Sequence, residues 1–415
     1  MRVVEQHNNR VLLLALKAGE ILLESGAEVY RVEDTVTRLC RACKIPFVEC
    51  FVTPTGIFLS VGQDGEKQEV GTALKRVHHV GIDLEKVSRV NAFVREFTST
   101  ELSVDEGLRR LKDIEATKPF SLLVRIIALA FVGSFFTIMN GGGFTDALCG
   151  LVVGILTFLL SMGIERLQIN RFISIFASCF VCAALSLLAF NLGFGNSLSS
   201  IIVGGITIFL PGVAITNAAR DLLSGDILSG VSRTAESLLV AVAIAGGVGI
   251  FLRMAPAPLH PDVLSDFGLA PEFLFALFGT MGVSIVVNIP RRRLLLASFI
   301  AACGWVVREA LQNNSYSPII ACFVAACAVA VIAEIATHFT KETATLFIIP
   351  AIFPLVPGKG MYDTMTHLIV SDYSAATALG LQTLFVAGTI ALGLLVVISL
   401  SRIADVAYQS IVKKR

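Results

Sequence analysis

Charge is scarce in this chain. Only 16% of its 415 residues are Asp, Glu, Lys or Arg, against about 25% in ordinary soluble domains. The net charge is +1, and no basic run with interleaved aromatics occurs, so nothing points to a nucleic-acid partner. The phosphate-cradling pattern GxxxxGK[ST] is absent, which leaves no sign of an ATPase. HExxH, GxSxG and paired metal-ligand spacings are also missing. The sequence therefore reads as no enzyme, with no catalytic residue, cofactor or metal centre. A cleavable leader is lacking too: after Arg10 the run VLLLALKAGEILLES is broken by Lys17 and Glu20, and no small-residue cleavage site follows. That places the first part of the chain in the cytoplasm.

What is abundant is hydrocarbon. Hydrophobic residues make up 55% of the chain, and its mean hydropathy is +0.78. The average hides a boundary near Lys118-Pro119. Residues 1–119 hold 17 Lys/Arg and 18 Asp/Glu, which is 35 of the 65 charges. The composition predicts a soluble α+β domain over 1–119, followed by membrane segments to residue 415.

Within the first domain, helical character runs over Val11–Glu24 and Glu28–Cys43, with Ser25-Gly26 as a stop between them. PFVECFV and GIFLSVG, flanking Thr53-Pro54-Thr55, predict a β-hairpin, and a third strand is expected near Val77–Ile82. Asp83–Phe97 and Ser103–Glu115 follow as amphipathic helices, with Ser103 and Glu106 as a capping box. Cys40-x-x-Cys43, with Cys50 and His78-His79, is a single spacing where zinc frameworks pair two. Packing of Cys43 is expected instead, with Cys40 incidental. Glu20, Glu24, Glu28, Glu33 and Asp34 alternate with Arg31, Arg38 and Arg41 and read as solvated helix faces.

Ten apolar segments can be drawn after residue 119, at roughly 120–139, 144–162, 172–190, 197–211, 234–252, 272–289, 293–311, 318–337, 343–357 and 376–401. A cytoplasmic start places Arg166, Arg171, Arg220, Arg233, Arg291, Arg292, Arg293, Lys341 and the tail Lys413, Lys414 and Arg415 inside. Only Arg253, Arg308 and Lys359 fall outside, which supports ten spans with both termini cytoplasmic.

Two of these segments are short, about 21 Å against a hydrocarbon core of about 30 Å. Both end alike. LPGVAITNAARDLLSGD (Leu210–Asp226) returns as VPGKGMYDTMTHLIVSD (Val356–Asp372). Pro211-Gly212 and Pro357-Gly358 are 146 residues apart, and the same offset joins Asn217 to Asp363 and Asp226 to Asp372. Five spans separate the copies, so the second half crosses upside down. The expected architecture is a multi-span α-helical membrane protein of about ten transmembrane helices. They form two inverted five-helix repeats, 120–262 and 263–415, behind a cytoplasmic α+β domain. Interrupted segments at matching places in inverted halves mark the binding site of secondary transporters. The candidate substrate- and proton-binding residues are thus Asp226, Asp372, Asn217 and Asp363, with Pro211, Gly212, Pro357, Gly358 and Lys359 in the turns. An N-terminal half-helix beside an Asp suits a zwitterionic amino acid. The alternative makes the two Asp residues interfacial helix caps. Glu236 and Glu334 read as interfacial, and Trp305 as packing.

AGEILLESGAEVYRVEDTVTRLCRA (Ala18–Ala42), FVTPTGIFLSV, HHVGIDLEKVSRVN (His78–Asn91) and the two Pro-Gly/Asp segments resemble the threonine/serine exporter family. The resemblance covers essentially the whole chain, in what looks like a fused form of a two-unit exporter. It implies export of threonine and serine across the inner membrane, driven by the proton motive force. The implied partners are these solutes, protons and membrane lipid. In some bacteria the two units are separate proteins implicated in dicarboxylate (succinate) export, and Lys359, opposite Val213 in the repeat, suits a dianion better than a zwitterion. The sequence leaves open a homo-oligomer and a membrane protein whose soluble domain is an enzyme.

Overall fold

A computed structural model describes residues 2–62, 71–78, 80–255, 265 and 267–412. The expectations for His79, the junction of the repeats at 262–263 and the tail Lys413–Arg415 lie outside the described residues. The chain forms two compact units. The first gathers Met1–Pro119 with Arg220–Arg233 and Val287–Pro290; the second holds Phe120–Ala219, Thr234–Val286 and Arg291–Arg415.

The first unit is α+β. Helices α1 (Arg2–Glu24) and α2 (Val29–Ala42) precede strands β1 (Phe47–Thr53), β2 (Gly56–Gly62) and β3 (Gly71–Arg76), then α3 (Leu84–Ser99) and α4 (Val104–Glu115). Gly26, at φ +82°, turns the chain out of α1, a conformation open to glycine at no steric cost. Leu14, Ile21 and Leu22 of α1 and Val32, Val36 and Leu39 of α2 close the core with Ile57, Leu59 and Val61 of β2. The expected hairpin forms, antiparallel from Phe47↔Gly62 to Thr53↔Gly56. The third strand lies earlier than expected: Gly56 pairs with Arg76 and Val61 with Gly71. The ladder ends as the Val77 amide donates to Thr55 O at 2.9 Å. Asp83 caps α3, accepting from the Lys86 amide, and Ser103 caps α4, accepting from Glu106. The Glu106 carboxylate pairs with Arg109 and Arg110.

Val287–Pro290 joins this unit for a hydrogen-bonding reason. A helix leaves its first amides unsatisfied. Leu84 N donates to Val287 O at 3.1 Å, Glu85 N to Asn288 O at 2.7 Å, and Asn288 Nδ2 to Asp83 Oδ1 at 2.7 Å.

The second unit is helical. Its helices are α5 (Leu122–Met139), α6 (Phe144–Glu165), α7 (Arg171–Asn191), α8 (Leu198–Ile206), α9 (Gly212–Leu223), α10 (Ile227–Met254), α11 (Leu269–Val286), α12 (Leu294–Asn313), α13 (Pro318–Thr340), α14 (Ala344–Ile352), α15 (Gly358–Ile369) and α16 (Tyr373–Val412). The last turn of α9 and first turns of α10 belong to the first unit. Eight described segments are long and apolar enough to cross a membrane: α5, α6, α7, α10, α11, Arg291–Asn313, α13 and Tyr373–Ser401. The chain is a multi-pass membrane protein. The segments expected at 197–211 and 343–357 make helices of only nine residues, α8 and α14.

Side chains in this unit are sorted as in a bilayer. Val152, Ile173, Leu188, Val242 and Phe339 point outward, while Thr157, Ser178, Ser186, Thr280 and Ser284 are buried between helices. Close approach rests on small residues: a Cβ on Gly204 would strike Thr137, whose hydroxyl donates to Gly133 O at 2.6 Å. Asp146, fully buried at the start of α6, fastens it to α8. It accepts from Gly143 N at 2.8 Å, Asn196 N at 2.6 Å and Ser197 N at 3.1 Å. Arg293 makes the counterpart fastening before α14, through Thr340 O at 2.9 Å and Glu342 at 3.6 Å.

Candidate functional site

Two helices are broken in the middle of the second unit. Helix α8 is buried along its whole length and ends in a 3₁₀ turn, Thr207–Phe209, before Pro211. Helix α14 is buried from Thr345 to Ile352. Proline cannot continue the amide ladder, so the chain turns at each Pro-Gly and restarts as α9 or α15. The turns match bond for bond at the 146-residue offset. Gly212 N donates to Leu210 O and Gly358 N to Val356 O, both at 2.8 Å. Ile215 N reaches Pro211 O at 2.9 Å and Met361 N reaches Pro357 O at 3.1 Å. At the far ends Asp226 N donates to Asp221 O and Asp372 N to His367 O, both at 2.9 Å. The preceding residues, Gly225 at φ +93° and Ser371 at φ 62°, are both left-handed.

The two breaks touch. A Cβ placed on Gly212 would lie 3.1 Å from Val356 Cγ2, and one on Gly358 would lie 2.8 Å from Leu210 Cδ1. The pairs 212–356 and 358–210 exchange under the same offset. The two close approaches are thus equivalent under the sequence repeat.

Beside this crossing lies a cavity of about 250 Å³. That is small against the roughly 300–1,000 Å³ of drug-sized pockets. Its wall includes Val203, Thr207 and Leu210 from the first break and Leu355–Gly360 from the second. Three charged side chains line it: Arg308, Lys359 and Asp363. Gln312, Gln382 and Thr383 add neutral polar groups, and Trp305 and Phe136 add rings. Trp305, Arg308 and Gln312 sit three and four residues apart on α12 and so share one face. The Arg308 guanidinium lies 4.5 Å from the Trp305 ring centre. Trp305 Nε1 donates to Glu272 Oε2 at 2.8 Å, which fixes the ring.

Of the residues singled out from the sequence, Pro357, Gly358, Lys359 and Asp363 line this cavity. Gly212 touches Val356 of its wall, next to Pro211. Asn217 is fully buried two turns into α9. The two Asp residues ranked first are elsewhere. Asp372 is exposed and accepts from Ala375 N at 3.1 Å, capping α16, with His367 at 3.3 Å. Asp226 sits in the turn between α9 and α10, within the first unit. Trp305 packs in the core with Met139, Ala276 and Ala302, as expected, and it also lines the cavity, as do Arg308 and Gln312, which were not among the sequence candidates. The available signal was an arginine four residues from a glutamine on one face of an apolar helix.

The first unit hides a second set of charges. Arg220 bonds Glu28 Oε1 at 2.6 Å, Arg233 pairs with Asp221 at 3.1 Å, and Arg233 Nη2 donates to Ala27 O at 3.1 Å. Glu28 and Asp221 are 1% and 0% exposed. Glu28 is therefore no solvated face, in contrast to the sequence expectation, since Arg220 comes from a segment 192 residues away. Cys43 packs against the core as expected, but Cys40 is not incidental: it is fully buried within it. Burial pushes the Cys40 and Cys50 thiols up to about 12. Among the described residues no three His, Cys, Asp or Glu side chains converge as a metal site.

Comparison with known families decides the kinship. A family model described as "Putative threonine/serine exporter" matches residues 13–255, and a second, "Threonine/Serine exporter, ThrE", matches 272–400. The chain belongs to the threonine/serine exporter family. An uncharacterized protein of Schizosaccharomyces pombe is 27% identical over 297 residues, which cover 66% of this chain and 35% of that protein. The chain thus spans about a third of that relative's length. A "Probable threonine/serine exporter" of Mycobacterium tuberculosis is 21% identical, covering 92% of this chain and 76% of its own. A "Probable succinate transporter subunit YjjP" of Klebsiella aerogenes is 26% identical, covering 61% of this chain and 97% of its own. No solved structure matches the chain.

Proposed function

We propose that this member of the exporter family is a secondary transporter that exports small hydroxy amino acids, threonine and serine, driven by the proton motive force. The observation that carries the reading is the crossing of two broken helices, at Gly212–Val356 and Gly358–Leu210, beside a small cavity lined by Arg308, Lys359 and Asp363. Broken helices from two related halves, meeting at a central cavity, are what alternating access needs.

Chain connectivity supports ten crossings in two inverted halves, 120–262 and 263–415. Arg220–Arg233 and Val287–Pro290 pack with Met1–Pro119 in one compact unit, so in this reading the three segments share one side of the membrane. Helices α5, α6 and α7 cross three times after Pro119. The return at Arg220 takes a fourth crossing, which only the broken pair α8–α9 supplies. Helices α10 and α11 then go out and back, and α12, α13, α14–α15 and α16 repeat the plan with opposite sense. The arginines at 166, 171, 220, 233 and 291–293 support reading that side as the cytoplasmic face of the inner membrane. The cavity, at the outer ends of α5 and α12, then faces outward.

Reconstituted vesicles loaded with labelled threonine test the reading. A pH gradient is expected to stimulate threonine flux; flux indifferent to the gradient would refute proton coupling, and no flux would refute threonine as substrate. A second reading, dicarboxylate export, is favoured by two cations against one acid in the cavity wall. Competition by succinate without competition by serine would replace the first reading with this one.

A further inference from the structure

A solute of this size entering a partly apolar cavity must bring its charge with it, and a carboxylate stripped of water needs a fixed cation. Two cations line the cavity, Arg308 and Lys359. Arg308 is the one whose contacts fix it. The Arg308 guanidinium lies over the Trp305 ring at 4.5 Å, the ring is anchored through Nε1 to Glu272 at 2.8 Å, and Arg308 Nη1 bonds Glu309 Oε1 at 2.6 Å. These contacts, with the Cys322 sulfur as a further hydrogen-bond partner of the guanidinium, still leave part of the fork unused. Arg308 Nε is buried and has no hydrogen-bond partner. A buried donor without an acceptor is costly, and such a group beside a cavity is explained by an acceptor that arrives with the ligand. Guanidinium offers a carboxylate two parallel N–H bonds along the edge that contains Nε.

We propose that Arg308 is the carboxylate anchor of the transport site: the solute's carboxylate docks on the Nε edge of a guanidinium already fixed by Trp305 and Glu309. This rests on the exporter reading above, and it specifies which chemical group of the solute is recognised. Asp363, on α15, lines the same cavity and carries the charge sign that complements an ammonium group. The shared chemistry is the carboxylate, which either an α-amino acid or a dicarboxylate supplies.

Trp305 is the single tryptophan of the chain, so intrinsic fluorescence of the purified full-length protein reports on this site alone. Threonine, threoninamide and succinate are titrated against wild type, Arg308→Gln and Arg308→Lys, with melting temperatures recorded to establish folding. Wild type is expected to bind threonine saturably and threoninamide at least roughly tenfold more weakly, because the amide carries no carboxylate charge. Arg308→Gln is expected to weaken threonine by roughly tenfold to a hundredfold and leave threoninamide unchanged. Arg308→Lys keeps a cation but loses the fork, and falls between; it serves if the glutamine variant does not fold. Succinate binding in place of threonine, lost in Arg308→Gln, supports the anchor while removing threonine from the proposed function. Threonine affinity equal in all three proteins overturns the anchor and leaves the exporter reading standing. A wild type that binds neither carboxylate overturns both.

Discussion

Gly358 meets Leu210, with room for no more than a hydrogen on the glycine: a Cβ there would lie 2.8 Å from Leu210 Cδ1. Leu210 is itself 6% exposed and has little space to yield. Gly358→Val is therefore expected to cut flux by roughly tenfold or more by wedging the two breaks apart. Leu210→Ala removes the obstructing methyls and is expected to restore flux in the double variant. Vesicle uptake by both single variants and the pair tests the contact; an additive loss would show that the glycine matters for another reason.

Asp363 and Asp372 should behave differently. Asp363→Asn alters a cavity wall and is expected to lower flux by roughly tenfold or more, with the protein intact in the membrane. Asp372→Ala removes a cap of α16, costing about 1 kcal/mol of stability, and is expected to leave flux near normal. Uptake assays with matched surface quantities decide; the opposite ranking would return the site to the far ends of α9 and α15.

Arg233→Ala leaves Asp221, fully buried, without the guanidinium 3.1 Å away. Removing one partner of a buried pair costs about 3–5 kcal/mol. A lower melting temperature and faster proteolysis near Arg220–Arg233 are expected. Replacing both members together, as Asp221→Leu with Arg233→Met, is expected to cost less than the single change.

Cys40 and Cys50, with thiols at about 12 through burial, are protonated at neutral pH and poor nucleophiles. Maleimide at pH 7.5 is expected to label neither in the folded protein and both after denaturation. Rapid labelling in the native state would mean that the helix–sheet packing around them opens readily.

Hydropathy made the long spans legible in sequence, and the 146-residue echo made the two breaks legible. The echo does not say what the repeated Asp residues do. A repeated Asp marks any repeated structure, and Asp226 and Asp372 recur because both half-helices end in the same left-handed turn, at Gly225 and Ser371. Identical spacing cannot separate a ligand from a cap. Arg308 was hidden for the converse reason: near the end of an apolar run it reads as a loop charge, and only the packing of α12 turns it to the cavity. The third strand lay ahead of its expected place because Val77–Ile82 is as apolar as a strand, yet the ladder from β2 runs out at Arg76. Glu28 looked like an exposed acid because its partner lies 192 residues downstream.

The first unit takes in Arg220–Arg233. The stretch related to it by the repeat, residues 366–379, stays with the membrane helices. Glu28–Arg220 and the Arg233–Ala27 bond thus weigh on one of two otherwise interchangeable arms. A perfectly duplicated machine would rest equally in its two mirror states. For the secondary transporter proposed above, an ionic clasp on a single arm would tilt that balance, so that the empty carrier has a preferred side on which to wait.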